Sequence, residues 1–573
     1  MRHDPWGAIL EEVRRAVDKA ASILGWPSGE LAIVEARAGK GDVAIPVFTL
    51  AKSLRRGPEE LAAALAGAVP RGGFVAEARS EGGYVNLDLD AGALANATLA
   101  SVRAMGDRYG EQPRSPLRVL VEHTSVNPTG PVHVGRARNP IIGDSLARIL
   151  RYAGFAVTTE YLVNDLGKQM VLLYWGVTHL KPDDVRPAAS SKEDHRLVPY
   201  YVKANELAEA DPAVGRDVEE LIRRFEGGDD ALTREISTVA KRVLAGILET
   251  LERIGVAFDR FFWESSLILQ GKVATVTRRL TALPEAAVED GAPYIDMAPF
   301  GVKGRDTKWF LTKRDGTSLY PTRDVAYHLD KLSRCDVAIN VLGENHRLEF
   351  EQLQTALRLL RERDVEAVFY SYVVLPEGGM ATRRDRVVTM DDLIDEAVDR
   401  ATKEVRKRRD DLSAEATARI AEVVGIGALR FNVVRVQAEK KIVFRWEDAL
   451  NFEGNSAPFV QYAHARMWGI LDKAGTRGGG DPALLQHPQE FRLLKLLAKF
   501  PSTVRAAAEA RAPNIVAGFA ADFAAQFNQF YRDCPVIQAA EPLRSARLEL
   551  VDASRIVLSS ALDCLGIAAP REM

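Results

Sequence analysis

The sequence predicts an α/β chain in three parts: a Rossmann-type central domain with an insertion, an α+β domain before it and an all-α helical bundle after it. Three observations predict this. A strand, a glycine-bearing turn and a helix follow one another from Leu117 to Leu150. A second strand–helix–strand run spans Asp336 to Leu375, and beyond residue 410 helical patterning is almost unbroken by strand signals. The length agrees, since 573 residues exceed what one core organises.

Composition narrows the classes further. The net charge is −3, from 76 basic against 79 acidic residues, so a nucleic-acid surface would have to be a local patch. Cys335, Cys534 and Cys564 lie far apart without a CxxC pair, which argues against a disulfide framework and a structural zinc and for a reducing, cytoplasmic setting. The first twenty residues carry acids and helical periodicity without a long apolar run, so neither a signal peptide nor a membrane span is expected.

Residues 1–112 form the first domain. Ile9, Val13, Val17, Ile23 and Leu24 support an opening helix, and short strands follow near Leu31–Ala36, Phe74–Ala78 and Tyr84–Asp88. Read alone, Tyr84 and Asn86 are a strand-edge tyrosine and a turn asparagine. Gly110–Pro116 reads as a linker.

Residues 113–410 form the central domain. Leu117, Val119 and Val121 alternate along a strand, and Ile142, Leu146, Ile149 and Leu150 place a helix from about Asn139. Pro128, Gly130, Pro131 and Gly135 break the chain between them. Such a turn offers helix-start amides to a phosphate, and His133 and Arg136 stand where that phosphate would lie. Taken singly, His133 is equally a loop histidine bonded to backbone. Gly154–Asp165 supplies the next strand, residues 168–251 read as a charged helical insertion interrupted at Lys181–Arg186, and Ile254–Ser265 returns to strand. Asp336–His346, Glu349–Leu360 and Glu366–Leu375 make the second βαβ unit. Residues 411–573 form the bundle, with Phe452–Ile470 and Ala520–Val536 among its helices.

His133-x-Gly135-x, preceded by Asn127-Pro128-x-Gly130-Pro131, resembles the HIGH signature of class I aminoacyl-tRNA synthetases. Glu122-x-x-Ser125-x-Asn127 before it and Arg138 after it resemble the arginyl-tRNA synthetases, archaeal type. Gly41–Lys52 and Gly82–Asp90 resemble that family's N-terminal domain, which grips the tRNA elbow, and Leu562–Met573 its anticodon-binding bundle. The likeness spans all three domains.

The resemblance implies an arginine–tRNA ligase. Arginine and ATP give arginyl-adenylate and pyrophosphate, and the arginyl group passes to the 3′-terminal adenosine of tRNA(Arg). Mg²⁺ would be held mainly by the nucleotide and water, without zinc, and a cytoplasmic monomer is expected. No protein nucleophile is needed, so the site positions reactants and stabilises charge on phosphate oxygens. His133 is the implied α-phosphate donor, and Gly135 lets adenine approach the backbone. Ser125 and Asn127 match residues at the α-amino end, with Glu122 supporting them.

A cationic, planar substrate requires carboxylates facing its N–H fork. Tyr320 and Asp324, four apart at a helix start opened by Pro321, are close enough to share that task. An aspartate there also simply offsets the helix dipole. The whole Tyr-x-Thr-Arg-Asp run matches the family's guanidinium pocket, Glu264 matches its further carboxylate, and His346 falls where many relatives carry glutamine. Tyr84 and Asn86 would meet a D-loop base.

The family's second signature, KMSKS, corresponds to Gly379–Arg386, with Met380, Thr382 and Arg383 against ATP and Arg383 and Arg384 in the chemistry. The leading lysine is Gly379, the serine Ala381, and the lysine that compensates in many relatives is Gly130. Arg136 replaces the second histidine of HIGH. Two accounts fit: Arg136, Arg383, Arg384 and Arg386 supply the charge, or the chain is a paralogue with regulatory or altered transfer activity. A non-catalytic tRNA-binding protein is the more distant alternative. The basic run Lys403–Asp411 and the aromatics Trp446, Phe459, Tyr462 and Trp468 fit RNA contact or, more commonly, a solvated face and a core.

Overall fold

The computed structural model describes residues 4–27, 29, 31–37, 39–303, 307–314, 318–374 and 388–573. The first domain opens with α1 (Pro5–Ile23), started by Pro5 in its first turn and by the Asp4 carboxylate, which accepts from the Gly7 amide at 2.8 Å. Its sheet has the order β1-β2-β4-β3, from β1 (Val34–Glu35), β2 (Val43–Pro46), β3 (Val75–Glu81) and β4 (Tyr84–Leu89), all antiparallel. Helices α2 (Phe48–Leu54), α3 (Pro58–Ala68) and α4 (Ala91–Met105) complete it. The strand expected over Leu31–Ala36 shrinks to two exposed residues. The buried strand is β2 instead, because Val43, Ala44 and Ile45 all lie in the core.

The central sheet is five-stranded and parallel, ordered β12-β11-β5-β6-β7. Its strands are β5 (Arg118–Glu122), β6 (Ala156–Val163), β7 (Arg260–Trp263), β11 (Val337–Gly343) and β12 (Glu366–Tyr370). Val119, Leu120 and Val121 are all buried because helices cover both faces, as a parallel sheet requires. The chain runs outward from β5 to β6 and β7, then returns to add β11 and β12 on the other side. The carboxyl ends of β5 and β11 therefore bracket a topological switch point, where open α/β sheets place their ligands.

Helix α5 (Arg138–Tyr152) links β5 to β6. Between β6 and β7 the chain is helical: α6 (Lys168–His179), α7 (Glu193–Arg196), α8 (Val198–Ala210), α9 (Pro212–Glu226) and α10 (Asp230–Arg253). After β7 come α11 (Ser265–Leu269) and α12 (Lys272–Thr281). A small antiparallel sheet follows that the sequence pattern did not announce: β8 (Ala286–Glu289), β9 (Ala292–Asp296) and β10 (Lys308–Phe310). Helices α13 (Tyr320–Arg334) and α14 (Arg347–Leu359) flank β11.

Beyond the sheet, β13 (Val373–Val374) pairs with β14 (Ile442–Val443). The remaining helices are α15 (Met390–Arg408), α16 (Ala414–Val434), α17 (Trp446–Ala449), α18 (Ala457–Ala474), α19 (Pro488–Glu509), α20 (Asn514–Asp533) and α21 (Leu543–Cys564). Fully buried Arg430 on α16 ties this bundle to α5: it lies 2.5 Å from Asp144 and donates to the carbonyls of Ile254 (2.6 Å) and Leu565 (2.9 Å). The first domain docks on α19 through Lys495 with Asp42 (3.0 Å), Arg505 with Asp4 (2.7 Å) and the Tyr109 hydroxyl donating to the Leu497 carbonyl (2.9 Å). Among the described residues, no helix is long and apolar enough to cross a membrane.

Candidate functional site

The turn after β5 is strained where it leaves the sheet. Thr124 and Ser125 adopt φ of 70° and 42°, a left-handed conformation costing non-glycine residues roughly 1–2 kcal/mol each. Asn139 opposes the strain by accepting from the Thr124 amide at 2.7 Å and donating to the Val341 carbonyl on β11 at 2.9 Å. The bend aims the Ser125 hydroxyl at Glu122 Oε1, 3.0 Å away, while Ser125 Oγ also accepts from the Leu162 amide at 3.1 Å.

Farther along the turn, residues 132–134 are stitched to the start of α15. The Met390 amide donates to Val132 (2.8 Å), the Val134 amide to Val388 (3.1 Å), and His133 faces Thr389 as an isolated bridge. His133 then caps a single 3₁₀ turn, Val134–Arg136, its Nδ1 accepting from the Gly135 amide at 2.9 Å. That bond leaves Nε2 to carry the ring proton and to donate outward. Burial and the neighbouring Arg136 both push the His133 pKa down, so the ring is neutral at pH 7. A side chain at Gly135 would place its Cβ 3.0 Å from His133 Nδ1, and the glycine permits this cap. Arg136 is exposed. Arg138 points inward and donates to the carbonyls of Ser371 (2.7 Å) and Lys440 (2.8 Å).

The second group of residues gathers at the start of α13. Tyr320 is 62% exposed, and its hydroxyl closes over Gly167, where a Cβ would lie 3.3 Å away. One turn on, the side chain of Asp324 is 43% exposed. Desolvation works against its charge, but His328, Lys331 and His346 outweigh it and hold the carboxyl below its usual range. Glu264 is buried at the junction of β7 and α11. Burial pushes its carboxyl up to about 7; Arg323 opposes the rise, while Asp165 and Asp324 add to it. With its amide turned to satisfy both ends, Asn164 donates to Glu264 Oε2 at 2.8 Å and to the Leu166 carbonyl at 3.0 Å. His346 ends a 3₁₀ turn after β11, exposed and on the Asp324 side.

A cavity of 1080 Å³ opens between the β5 turn and the insertion, lined by Asn127, Gly130, His133, Arg136, Gln169, Thr389 and, from the insertion, Asp183, Arg186, His195, Tyr201, Lys203 and Glu206 among others. Glu264, Tyr320 and Asp324 come together but lie outside this lining. Residues 167–169 separate the two halves: Gly167 touches Tyr320, while Gln169 accepts from Asn127 Nδ2 at 3.4 Å. Met380, Thr382, Arg383, Arg384 and Arg386 lie outside the described residues. Arg323, Asn164, His328, Lys331 and Asn340 were not singled out from the sequence. The spacing 320, 324, 328 and 331 along one helix face was the available signal.

Elsewhere, Tyr84 is half-buried and packs edge-on against Phe48 at 5.1 Å, with the Phe48 ring 40% exposed. Asn86 departs from the expectation of a presented amide. It is 7% exposed because β4 lies inside the sheet, where Asn86 faces Ala44 on β2 and Arg79 on β3. The basic run at the end of α15 is met by its own acids: Arg408 by Glu404 (2.5 Å) and Arg409 by Asp411 (2.8 Å). Trp468 has Arg477, Arg555 and Arg571 around its ring at 4.7–5.2 Å, whereas Tyr462 is 42% exposed.

Comparison with known proteins bears on all three parts. The model for the catalytic domain of class I tRNA synthetases (R) matches residues 98–446, that for the DALR anticodon binding domain residues 460–573, and that for the arginyl tRNA synthetase N terminal domain residues 8–89. The chain is 42% identical to the arginine–tRNA ligase of Methanocella arvoryzae over 568 residues, covering 99% of each protein. It is 42% identical to that of Methanothermobacter thermautotrophicus over 537 residues, covering 93% of each. The arginyl-tRNA synthetase structure from Thermus thermophilus superposes with a TM-score of 0.82 at 30% identity, covering 98% of this chain and 100% of that one.

Proposed function

The chain belongs to the arginyl-tRNA synthetase family, and from that premise we propose how its residues divide the work of an arginine–tRNA ligase. Residues 1–112 hold the tRNA elbow, with Tyr84 offering the accessible aromatic face. Residues 113–410 carry out the chemistry, and residues 411–573 hold the anticodon region. ATP is the co-substrate. Both signature segments and the arginine pocket come from one chain, which fits a monomer.

Arginine lies across residues 167–169, its guanidinium toward Tyr320, Asp324 and Glu264 and its α-amino end toward Ser125 and Asn127. The observation that carries this reading is the meeting of two carboxylates and a phenol at one end of a site whose other end holds the β5 turn. The Asp324 carboxylate accepts from the guanidinium fork, the Tyr320 ring covers its face, and Glu264 becomes charged as the cation arrives. The substrate carboxylate then attacks the α-phosphate of ATP and pyrophosphate leaves. His133, neutral and with Nε2–H outward, donates to the α-phosphate oxygen on which charge grows. Arg136 neutralises the phosphates beside it, and Arg383, Arg384 and Arg386 follow the same reading. In the second step the ribose hydroxyl of the terminal tRNA adenosine attacks the activated carbonyl and AMP leaves, so the 1080 Å³ cavity facing the insertion is the place for that nucleotide.

Mg²⁺ enters as part of the nucleotide substrate. Among the described residues, the one group with donors spaced for a metal is Asp194, His195 and Asp391. Lys192 already lies 2.7 Å from Asp391 and 3.3 Å from Asp194 there, so that group is a poor fit for the ion.

Arginine-dependent ATP–pyrophosphate exchange by the purified protein with cognate tRNA tests the assignment. ATP formed only when arginine is present supports it. No ATP with all three substrates present leaves the chain a paralogue.

A further inference from the structure

Beneath the arginine pocket lies a buried polar chain that joins its two ends. Lys331, 0% exposed, sits on α13 three residues after His328 and seven after Asp324. Its Nζ donates to Glu122 Oε2 on β5 at 2.7 Å and to Asn340 Oδ1 on β11 at 2.6 Å. It stands 3.4 Å from His328 Nε2 and 4.3 Å from the centre of the Tyr327 ring. Glu122 in turn accepts from Ser125 at 3.0 Å.

Every hydrogen-bond direction in this chain is set by the lysine. An ammonium only donates, so Asn340 must present its oxygen to Lys331 and its Nδ2 to His328 Nε2, 2.8 Å away. Nε2 therefore faces two donors and carries no proton. His328 Nδ1 faces two acceptors, the Asp324 carboxylate at 3.1 Å and the Asp324 carbonyl at 2.9 Å, and carries the ring proton. Only the neutral Nδ1–H tautomer satisfies all of these contacts.

We propose that Lys331, acting through Asn340, is a positioning residue that keeps the His328 ring uncharged and so reserves the negative charge of Asp324 for the substrate guanidinium. The inference rests on the arginine-pocket reading and deepens it. A protonated imidazole at 3.1 Å would pair with Asp324 and compete with the incoming cation. A neutral ring orients the carboxylate with one N–H and leaves its charge in place. The groups around the ring are Asp324, Tyr327 and Lys331 from its own helix, Asn340 from β11, and Glu122 from β5 behind the ammonium. Glu160 on β6 accepts from the Tyr327 hydroxyl at 2.9 Å, and His346 lies on the Asp324 side.

The test is the KM for arginine in pyrophosphate exchange with tRNA present, measured as a ratio to wild type at about pH 6 and about pH 8, either side of the histidine range. In Lys331→Met the freed Asn340 amide turns, offers its oxygen to Nε2, and the ring takes up a proton in acid. The expected KM ratio is about tenfold at the lower pH and about twofold at the higher, with the kcat ratio equal at both. Adding His328→Gln to Lys331→Met makes the ratio equal at both pH values. Asn340→Asp, which leaves Lys331 in place, sets a carboxylate against Nε2 and raises KM at both pH values. It decides the matter if Lys331→Met does not fold. A KM ratio for Lys331→Met that does not change with pH, or a wild-type KM in Asn340→Asp, overturns the proposal. Asp324→Asn is measured alongside. An unchanged KM in that variant means the pocket reading itself has failed, whereas a raised KM beside a flat Lys331→Met ratio means that only this inference has.

Discussion

Arg323 holds its guanidinium 4.5 Å from the centre of the Tyr320 ring while its Nε stands 3.6 Å from Glu264 Oε1. The protein thus places one of its own guanidinium groups between the phenol and the acid proposed to receive the substrate's. Arg323 is also the cation that opposes the rise of the Glu264 carboxyl. In Arg323→Met that opposition is lost, and the pH at which KM for arginine begins to fall moves upward by about one unit. A KM–pH profile superimposable on wild type would contradict this.

Glu264 gives the site a pH dependence of known sign. Its carboxyl is raised to about 7, so in the free enzyme it is largely protonated at pH 6 and charged at pH 8. Arginine binding must displace that proton in acid, and KM falls as pH rises through 7. Glu264→Gln should flatten the profile. The same shift acts on folding: the native state holds the proton between the unfolded and folded pKa values, so the destabilisation due to burying this carboxyl is absent below about 4.5 and grows as pH rises through 7. Melting curves should therefore show Glu264→Gln gaining stability over wild type at pH 8, up to about 3 kcal/mol, and little at pH 4.

Gly143 lets α5 lie against the end of β5. A Cβ there would sit 2.2 Å from His123 Cγ, and the His123 ring has little room to retreat because it is buried 4.5 Å from Phe258. Gly143→Ala should cost about 1–3 kcal/mol in thermal unfolding and lower kcat, since the displaced strand end carries Thr124 and Ser125. A melting temperature equal to wild type would show that the two elements part more easily than their packing implies.

The Arg430–Asp144 pair holds the helical bundle against the central domain. Arg430→Met breaks a buried ion pair and three hydrogen bonds to carbonyls and leaves Asp144 to Arg148, 2.8 Å away, with an expected loss of about 3 kcal/mol or more. Arg430→Met with Asp144→Asn should cost less than the sum of the two single changes, because either one alone already breaks the pair. Double-mutant unfolding measurements that show simple additivity would count against a direct pair.

The sequence made some of this legible and hid the rest for physical reasons. The β5 turn and α5 were readable because Leu117, Val119 and Val121 mark a strand and its glycine-rich exit is distinctive, although the buried Leu120 shows that the strand is covered on both faces rather than alternating. That Tyr320 and Asp324 lie together at a helix start was readable because their four-residue spacing is local, whereas their proposed role came from the family resemblance and not from that spacing. The contact between Glu122 and Lys331 was not, since it joins residues 209 apart whose meeting depends on β5 and β11 lying side by side. Neither was the left-handed pair Thr124–Ser125, whose residue types give no sign of positive φ. In the first domain the sequence points to a strand over Leu31–Ala36 and passes over β2, because both runs are largely apolar. Burial distinguished them, and burial is a property of the folded domain.

The central claim is that a cationic amino acid is held by Asp324, and one pair of measurements on Asp324→Ala tests it: arginine-dependent pyrophosphate exchange with tRNA present, and tRNA affinity by direct binding. The account predicts that exchange falls by about 100-fold or more while tRNA affinity stays within about twofold, because the change removes the charge-assisted contact to the substrate guanidinium and leaves the tRNA surfaces untouched. Exchange at the wild-type rate in the Asp324→Ala protein would contradict it.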